Sequence, residues 1–246
     1  MNTDFDYFKV PALSASLAKE LLKSAAHGKY RLDNPMQPTA SMQLGTAVHG
    51  LILEPHRQDI FVTRPADLDR RTKDGKARYA ELEAAGLPIL TQDEADTAYR
   101  MRDAVLAVRD VASALAHGKT EVPAFWDGRG TSCKAKADLV CGDVVLDVKT
   151  CVDASPRGFE KQIWSYRYFT QARHYMDAFD AKQFIFVAVE SAAPYGVGVY
   201  DLSQNLLDRG DRDLDIAAAR YQHGIRTGEW PGYNSEIQMI GETADF

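Results

Sequence analysis

The sequence predicts a mixed α/β or α+β fold, in which a central mixed β-sheet is flanked by helices. Helical periodicity dominates the first 118 residues, and an antiparallel three-strand unit follows them. A further helix and two more strand-like segments come next, and a last helix follows those. A run of adjacent strands set between helices is typical of a sheet whose faces are covered by helices.

Apolar spacing and capping residues predict the first two helices. Residues 14–26 form an amphipathic helix that begins at Ser14 or Ser16, because a serine hydroxyl accepts hydrogen bonds from the free amides of a first turn. Residues 41–53 form a second, mostly buried helix that contains two glycines. Since glycine weakens a helix, we expect these glycines to permit close packing or the close approach of another backbone segment.

A capping box formed by Thr91 and Glu94 opens the next helix. This helix is expected to run to about His117, where Gly118 provides a C-terminal stop. The segment after the last predicted helix has no periodicity and is expected to be irregular. The remaining predicted elements are strands at about 120–126, 132–141 and 144–149, a helix from 155 to about 179, strands at 183–190 and 195–201, and a helix at roughly 204–226.

Composition indicates one globular domain of 246 residues, with a helical part at about 1–118, a sheet core at about 119–202, and a C-terminal helix and tail at 203–246. Apolar residues make up 45% and charged residues 26%, as in ordinary soluble proteins. The apolar run at 184–189 is far shorter than the ~20 residues that span a membrane, and the acidic start does not resemble a secretory signal. We therefore expect a cytoplasmic protein with no membrane partner.

Charge and cysteine content exclude several classes of protein. A net charge of −6 argues against coating nucleic acid by bulk electrostatics, although it permits a nuclease whose acidic site recruits a metal. Cys133, Cys141 and Cys151 are too few and too scattered for a disulfide framework or a four-ligand zinc or iron–sulfur site.

One segment is locally basic: residues 64–78 hold six Lys or Arg against three Asp, a charge of +3. The segment is either a solvated loop and helix start or a patch that binds phosphates. If it lines a DNA path, the contacting residues are Arg70, Arg71, Lys73 and Lys76.

Two β-rich runs on either side of Gly142 and Asp143 predict a hairpin with a type II′ turn in the segment KAKADLVCGDVVLDVKT. With these two residues as the loop, Asp138 lies opposite Asp147, and alternation places Lys149 on the same face. Opposed carboxylates lie about 4.5–5.5 Å apart at Cβ and destabilise the strand pair, so a cation between them is expected. Mg²⁺ suits such a pair, and the lysine can orient or deprotonate a water beside it.

The same hairpin permits a second interpretation. Its other face is apolar throughout, whereas this face also carries Lys136. The two carboxylates could therefore form ion pairs with Lys136 and Lys149 on a solvated face. Spacing alone does not choose between metal chemistry and a solvated charged face.

Further motifs accompany the hairpin, and in chain order they read LSASLAKELLKSAAHGKY, QLGTAVHGLILEP, RRTKDGKARYAEL, TEVPAFW, KADLV followed by LDVKT, and YFTQARHYMDAF. In this order and spacing they resemble the RecE-type, exonuclease VIII-like exonucleases of phages and prophages. These enzymes belong to the PD-(D/E)xK nuclease superfamily. The resemblance spans nearly the whole chain, and it implies a restriction-endonuclease-like core with a mixed sheet between helices.

The resemblance also implies roles for single residues. Asp138 and Asp147 match two carboxylate metal ligands, the second being Asp where many members have Glu, and Lys149 matches the catalytic lysine. His49, in GTAVHG, matches a metal-binding histidine, although a lone histidine on an apolar helix is otherwise a core residue. Glu121, in TEVPAFW, matches an acidic residue near the site, although it could also be an exposed strand carboxylate.

Gln171 and Tyr175 match a QxxxY motif. Their spacing places both on one helix face, where they can contact substrate or brace the lysine, unless this face is an ordinary amphipathic surface.

The implied function is an Mg²⁺-dependent exonuclease, with Mn²⁺ as a possible substitute, that degrades one strand of linear double-stranded DNA 5′ to 3′. The product, a 3′ single strand, would pass to a single-strand annealing protein for recombination, and relatives form closed homo-oligomeric rings. Two alternatives are another metal-dependent DNA endonuclease on the same core and a non-enzymatic accessory protein that binds DNA ends.

Overall fold

The computed structural model describes Tyr7, residues 10–34 and residues 39–237. Its elements are helices α1 (Ala15–Lys23), α2 (Ala25–Asp33) and α3 (Ala40–Leu53), strand β1 (Val62–Thr63), helix α4 (Lys73–Ala84), strand β2 (Ile89–Leu90), helices α5 (Gln92–Leu106) and α6 (Arg109–His117), strands β3 (Lys119–Gly128), β4 (Thr131–Cys141) and β5 (Val144–Cys151), helices α7 (Pro156–Ser165) and α8 (Tyr168–Phe179), strands β6 (Gln183–Glu190) and β7 (Val197–Asp201), and helix α9 (Gln204–Thr227).

The main sheet has five strands in the order β3-β4-β5-β6-β7. Neighbours are antiparallel except β5 and β6, which are parallel and are connected through α7 and α8. A parallel neighbour needs such a crossover, because a tight turn can join only antiparallel strands. The predicted class, a mixed sheet flanked by helices, is therefore confirmed. The short strands β1 and β2 form a separate parallel pair that the sequence did not predict.

The hairpin between β4 and β5 has the predicted register, with Leu139 opposite Leu146 and Cys141 opposite Val144. Gly142 lies in the left-handed region, with φ of 60°. A type II′ turn needs a positive φ at its first central position, which glycine adopts without steric cost.

Helices cover both faces of the main sheet. Leu146 and Val148 pack in one core with residues of α3 and α5, whereas Val145 packs in a second core with residues of α7 and α8. Val145 is fully buried and Asp147 is 2% exposed. The hairpin face that carries the acidic residues is therefore an interior face of the protein. The predicted solvation of this face is wrong, whereas the ion pair between Asp147 and Lys149 that the same interpretation predicted is present.

Three helices that the sequence predicts as continuous are each divided in two. The first is interrupted at Ser24, which is extended and whose hydroxyl accepts a hydrogen bond from His27 N–H. The second is interrupted at Val108, which packs against the first core. The third is interrupted at Arg167, whose left-handed backbone is held by an ion pair with Asp213 at 2.9 Å. No glycine or proline marks these positions; Ser24 is a local N-cap of α2, whereas Val108 and Arg167 make contacts with residues distant in sequence.

The N-terminal helix packs against the C-terminal one. Ser14 is the N-cap of α1, as predicted, and Leu17 and Leu21 are buried in a third core with Leu214 and Tyr221 of α9. Among the described residues, no helix combines the length and the apolar character needed to cross a membrane.

Candidate active site

The candidate site lies where β4 and β5 diverge. Ladder pairing between them ends at Leu139 and Leu146. Asp138, the residue before Leu139, is not paired with β5 in this ladder. Its Oδ2 instead accepts a hydrogen bond from Val148 N–H at 2.8 Å. The Asp138 carboxylate thus accepts the hydrogen bond that a carbonyl of the neighbouring strand would otherwise accept. This bond holds the carboxylate at the fork between the strands.

The strand pair is also distorted on the side of β3. Glu121 and Asp138 are left out of the ladder between β3 and β4, although the residues on either side of them pair. Glu121 has a φ of 56°, which is unusual for a residue other than glycine. The Glu121 carboxylate forms an ion pair with Lys136. At this distortion Ala137 packs in the core below α8, although strict alternation predicted it on the face of Leu139. Glu121 therefore lies beside Asp138 in register, with its charge paired to a lysine.

Helix α3 brings His49 to the same fork. Its Nδ1 lies 3.3 Å from Asp138 Oδ2, and the two side chains are 29% and 14% exposed. Of the two glycines of α3, Gly50 permits close packing, because a Cβ there would lie 2.7 Å from Ile60 Cγ2, whereas a Cβ at Gly45 would make an ordinary contact 3.4 Å from Thr150 Oγ1. Burial opposes protonation of His49, but the carboxylate of Asp138 outweighs it and raises the histidine pKa above 6.5. Burial likewise opposes ionisation of Asp138, yet His49 and Lys149 hold its pKa below the usual value.

Asp147 is buried on the other side of the fork, with its side chain only 3% exposed. Gln171 Nε2 donates a hydrogen bond to its Oδ1 at 2.7 Å. Its Oδ2 forms an ion pair with the Lys149 ammonium, but no hydrogen bond reaches this oxygen from the described residues. Burial raises the pKa of Asp147, and the charge of Lys149 opposes that rise. A buried oxygen that receives charge but no hydrogen bond can accept a further cation.

Lys149 lies between the carboxylate and an aromatic wall. Its Nζ is 5.1 Å from the centroid of the Tyr168 ring and 5.9 Å from that of Phe186. Burial lowers the pKa of Lys149, but Asp147 and Asp138 outweigh burial and raise it above 10.5. In this state the side chain is an ammonium at neutral pH, which can donate hydrogen bonds and offset negative charge. Its predicted role toward a water stays a prediction.

The QxxxY residues lie on the inner face of α8. Gln171 orients the Asp147 carboxylate by the hydrogen bond described above. Burial raises the pKa of the Tyr175 phenol well above 10.0, and its ring packs edge-on against Phe184 of β6. The amide therefore positions a candidate metal ligand, and the tyrosine ring packs in the core between α8 and the sheet.

The predicted DNA-binding residues lie on a surface loop and the first turn of α4. Arg71 is 91% exposed and forms an ion pair with the aspartate two residues before it. The Arg70 guanidinium stacks on Tyr79, with its Cζ 3.8 Å from the ring centroid. Lys73 begins α4, and Lys76 follows on its exposed side. Their contact with DNA stays a prediction.

Two residues of the site were missed in the sequence. Lys19 of α1 places its Nζ 5.1 Å from the centroid of the Tyr168 ring. Burial and the charge of Lys149 together lower the pKa of Lys19 to about 8. Tyr168 precedes Gln171 by three positions, so helical spacing could have placed both on one face. Lys19 could not be found this way, because α1 reaches the site only through tertiary packing.

Within the described residues, no three His, Cys, Asp or Glu side chains surround a common point that could hold a metal. The predicted ligands form separate contacts instead: His49 with Asp138, Asp147 with Lys149, and Glu121 with a lysine. The donor chemistry nevertheless fits a divalent cation, because two carboxylates and an imidazole lie on either side of the fork, although they do not share one point. The Asp147 oxygen without a hydrogen bond is the atom that such a cation would satisfy.

We expect Gln171→Ala to weaken Mn²⁺ binding by about 10- to 100-fold, as is typical when a partner that orients a ligand is removed. The physical reason is that Gln171 fixes one oxygen of Asp147. Titration calorimetry on the purified protein measures the affinity. Gln204→Ala, which removes an exposed amide bonded to Asp208 on α9, is the matched control and should bind as the wild type does. Equal affinities for all three proteins would contradict the assignment.

We also expect Mn²⁺ affinity to increase as the pH rises above 6, since a histidine ligand must lose its proton to bind metal. The pKa of His49 is raised, so this increase should continue above pH 6.5. Asp138 has a lowered pKa and stays ionised, whereas Asp147, whose pKa is raised, contributes at the acidic end. In His49→Gln the affinity should depend less on pH, and an identical pH profile in both proteins would exclude His49 as a ligand.

Comparisons with known proteins agree with this architecture. A family model described as "PDDEXK-like domain of unknown function (DUF3799)" matches residues 14–243. The crystal structure of a candidate exonuclease from Eubacterium rectale superposes with a TM-score of 0.67 at 13% identity, covering 100% of this chain and 99% of that one. At such low identity, this likeness establishes a shared fold.

Two further structures are more distant. LHK-Exo, an alkaline exonuclease from Laribacter hongkongensis, was solved in complex with dAMP and has a TM-score of 0.41 at 16% identity, covering 87% of this chain and 90% of that one. A phage-related exonuclease from Haemophilus somnus 129PT has a TM-score of 0.38 at 12% identity, covering 81% and 99%. No similar sequence was found among curated proteins.

Proposed function

Since the chain belongs to the family of PDDEXK-like domains, we propose that it is a metal-dependent deoxyribonuclease that degrades linear double-stranded DNA from its ends. The observation that carries this proposal is the meeting of Asp138, Asp147 and Lys149 at the fork between β4 and β5. Two carboxylates and a lysine, all largely withdrawn from solvent, are the residue types that hydrolysis of a phosphodiester needs.

Each residue has a definite task in this proposal. Asp138 and Asp147, with His49, would hold Mg²⁺ or Mn²⁺. When bound, such an ion neutralises a phosphate and lowers the pKa of a water. Lys149, which stays protonated, orients the attacking water and offsets the negative charge that develops on the phosphate. Gln171 keeps the Asp147 carboxylate in one orientation.

We propose further that degradation runs 5′ to 3′ on one strand and leaves a 3′ single strand for an annealing protein in phage-type recombination. The support is the resemblance of the chain's motifs to RecE-type exonucleases. The same resemblance supports a closed homo-oligomeric ring, which would keep DNA bound to a protein with a net charge of −6. The place of action would be the cytoplasm.

Digestion of linear duplexes labelled separately at the 5′ and 3′ ends tests this function. With Mg²⁺, we expect early release of the 5′ label as mononucleotide, and no release with a chelator. Covalently closed circular DNA should remain intact. Cutting of the circle would indicate an endonuclease instead, and binding of linear ends without any nucleotide release would indicate a non-enzymatic end-binding protein.

The basic patch is expected to contact DNA phosphates outside the site. The double variant Lys73→Gln with Lys76→Gln should lower DNA affinity for every sequence. It should also reduce the slope of log affinity against log salt by about 0.9 for each phosphate that a lysine no longer neutralises. Fluorescence anisotropy at several salt concentrations measures this slope. Lys182→Gln, which neutralises a lysine that is 83% exposed directly before β6 and outside the patch, is the control. An unchanged slope in the double variant would indicate that the patch is an ordinary charged surface that does not contact DNA phosphates.

A further inference from the structure

Three stacked aromatic rings connect the protein surface with Lys149. The Tyr166 and Tyr168 rings have centroids 5.6 Å apart and planes at 27°, and the Tyr168 and Phe186 centroids are 5.4 Å apart at 28°. The Lys149 ammonium lies beside the two inner rings. Tyr166 is the outer ring of the stack and is 57% exposed. Tyr166 is therefore a solvent-exposed aromatic ring that stacks directly on Tyr168, the ring that Lys149 contacts.

The position of Tyr166 is set by rigid structure on both sides. Its N–H donates a hydrogen bond to the Gln162 carbonyl at 2.8 Å, which closes the last turn of α7. The next residue, Arg167, has a left-handed backbone, and its guanidinium is held by Asp213. An aromatic side chain on such a turn loses little freedom when it binds a ligand, because its backbone is already ordered.

Lys19 adds a positive charge beside the same stack. Its Nζ and that of Lys149 are each 5.1 Å from the centroid of the Tyr168 ring. The nearby Asp147 carboxylate already forms an ion pair with Lys149. The ammonium of Lys19 thus increases the positive charge next to the site and is complementary to an anion.

We infer that Tyr166 and Lys19 form a nucleotide-binding subsite, in which the tyrosine ring stacks on an unpaired base and the lysine binds a phosphate of the same strand. A deoxynucleotide carries both a flat aromatic face and a negative charge, and ring stacking accepts every base. An unpaired base suits this subsite, since its faces are free for stacking, whereas the interior bases of a duplex are already stacked on both faces. The subsite rests on the proposed function. It implies that the strand to be cleaved is single-stranded where it approaches Lys149.

Binding of a single-stranded oligonucleotide that contains 2-aminopurine tests the role of the ring. The fluorescence of this base falls when it stacks. With Ca²⁺ in place of Mg²⁺, we expect the wild type to quench at least one labelled position. Tyr166→Ala should lose this quenching and bind about tenfold more weakly, within the range for removal of one stacked base. Tyr166→Phe should retain both, and Tyr30→Ala, which removes a tyrosine that is 71% exposed on α2, should behave as the wild type.

The role of the lysine has a separate measurement. Lys19→Ala should weaken binding of the same oligonucleotide and reduce the log–log salt slope by about 0.7, the value for one phosphate of a single strand. Lys19→Arg should keep the wild-type slope. Lys23→Ala is the control, because Lys23 lies one turn further along α1 and is bonded to Glu20. An unchanged slope in Lys19→Ala would overturn the phosphate-binding role of the lysine.

The outcomes separate this subsite from the nuclease itself. Digestion by the wild type, combined with equal binding and quenching in Tyr166→Ala, would overturn the subsite and leave the nuclease intact. Ring-dependent quenching in a wild type that digests no DNA would support the subsite and overturn the proposed function. Equal losses in Tyr166→Ala and Tyr166→Phe, or no quenching at any position in the wild type, would overturn the stacking role. Quenching in the wild type does not depend on how any variant folds.

Discussion

Asp147→Asn should reduce metal-dependent DNA degradation by at least about a hundredfold, the loss expected when one main electrostatic contact to a transition state is removed. Asparagine keeps the shape of the side chain but not the charge that would hold the cation. Release of acid-soluble nucleotide from linear duplex measures the rate, and calorimetry on the same variant should show weaker Mn²⁺ binding. A wild-type rate would exclude Asp147 as a metal ligand.

The same substitution should also change the stability of the metal-free protein, and the structure predicts a change opposite to the one that the sequence predicts. Two opposed carboxylates on a hairpin repel each other, so the sequence predicts that Asp147→Asn stabilises the metal-free protein. In the structure Asp147 has its own cation, Lys149, which is 16% exposed, and Asp138 contacts His49 instead of Asp147. The variant would leave this ammonium buried without a partner, and removal of one member of a buried pair costs about 3–5 kcal/mol. Chemical denaturation without metal measures the change in the free energy of unfolding.

Asp143→Asn is the matched control for both measurements. Asp143 lies in the turn of the same hairpin and forms an exposed ion pair with Lys182 at 2.9 Å. Substitutions at such surface positions change stability by no more than about 0.5 kcal/mol, and we expect the wild-type rate. If the control loses as much stability as Asp147→Asn, the ion pair with Lys149 does not explain the effect.

Lys149→Ala should reduce the rate by about 100- to 1,000-fold, while DNA affinity measured in Ca²⁺ stays within a few fold. The reason is that the ammonium acts mainly on charge that develops during the reaction. Without metal, the variant should also be less stable, because the buried Asp147 loses its counterion. Added Mn²⁺ should recover part of this stability, since the ion would supply the missing positive charge.

Lys119→Ala is the control for this variant, because Lys119 is an exposed lysine at the start of β3 in the same sheet. Its rate, affinity and stability should match those of the wild type. Proportional losses of affinity and rate in Lys149→Ala would make Lys149 a simple phosphate-binding residue. Stability that does not respond to Mn²⁺ would argue against a metal at Asp147.

Local sequence determined most of the framework. Gly142 and Asp143 between two β-rich runs specified both the turn and the register of the hairpin, because a two-residue loop fixes which residues pair across it. The capping box at Thr91 marked the start of α5, since a cap depends on residues within one turn. The family resemblance placed the acidic residues and the lysine on the same hairpin. These features depend on neighbours in sequence, so the chain alone reveals them.

Long-range packing decided the rest. The divisions at Val108 and Arg167 have no local glycine or proline, and both residues make long-range contacts, Val108 with the first core and Arg167 with Asp213. Packing of α7 and α8 turned a hairpin face with two aspartates into an interior site. It also placed Lys19 and Tyr166, which are almost 150 positions apart in sequence, against the same tyrosine ring. Sequence patterns record which face of an element is apolar, but they carry no information about which distant element will cover it.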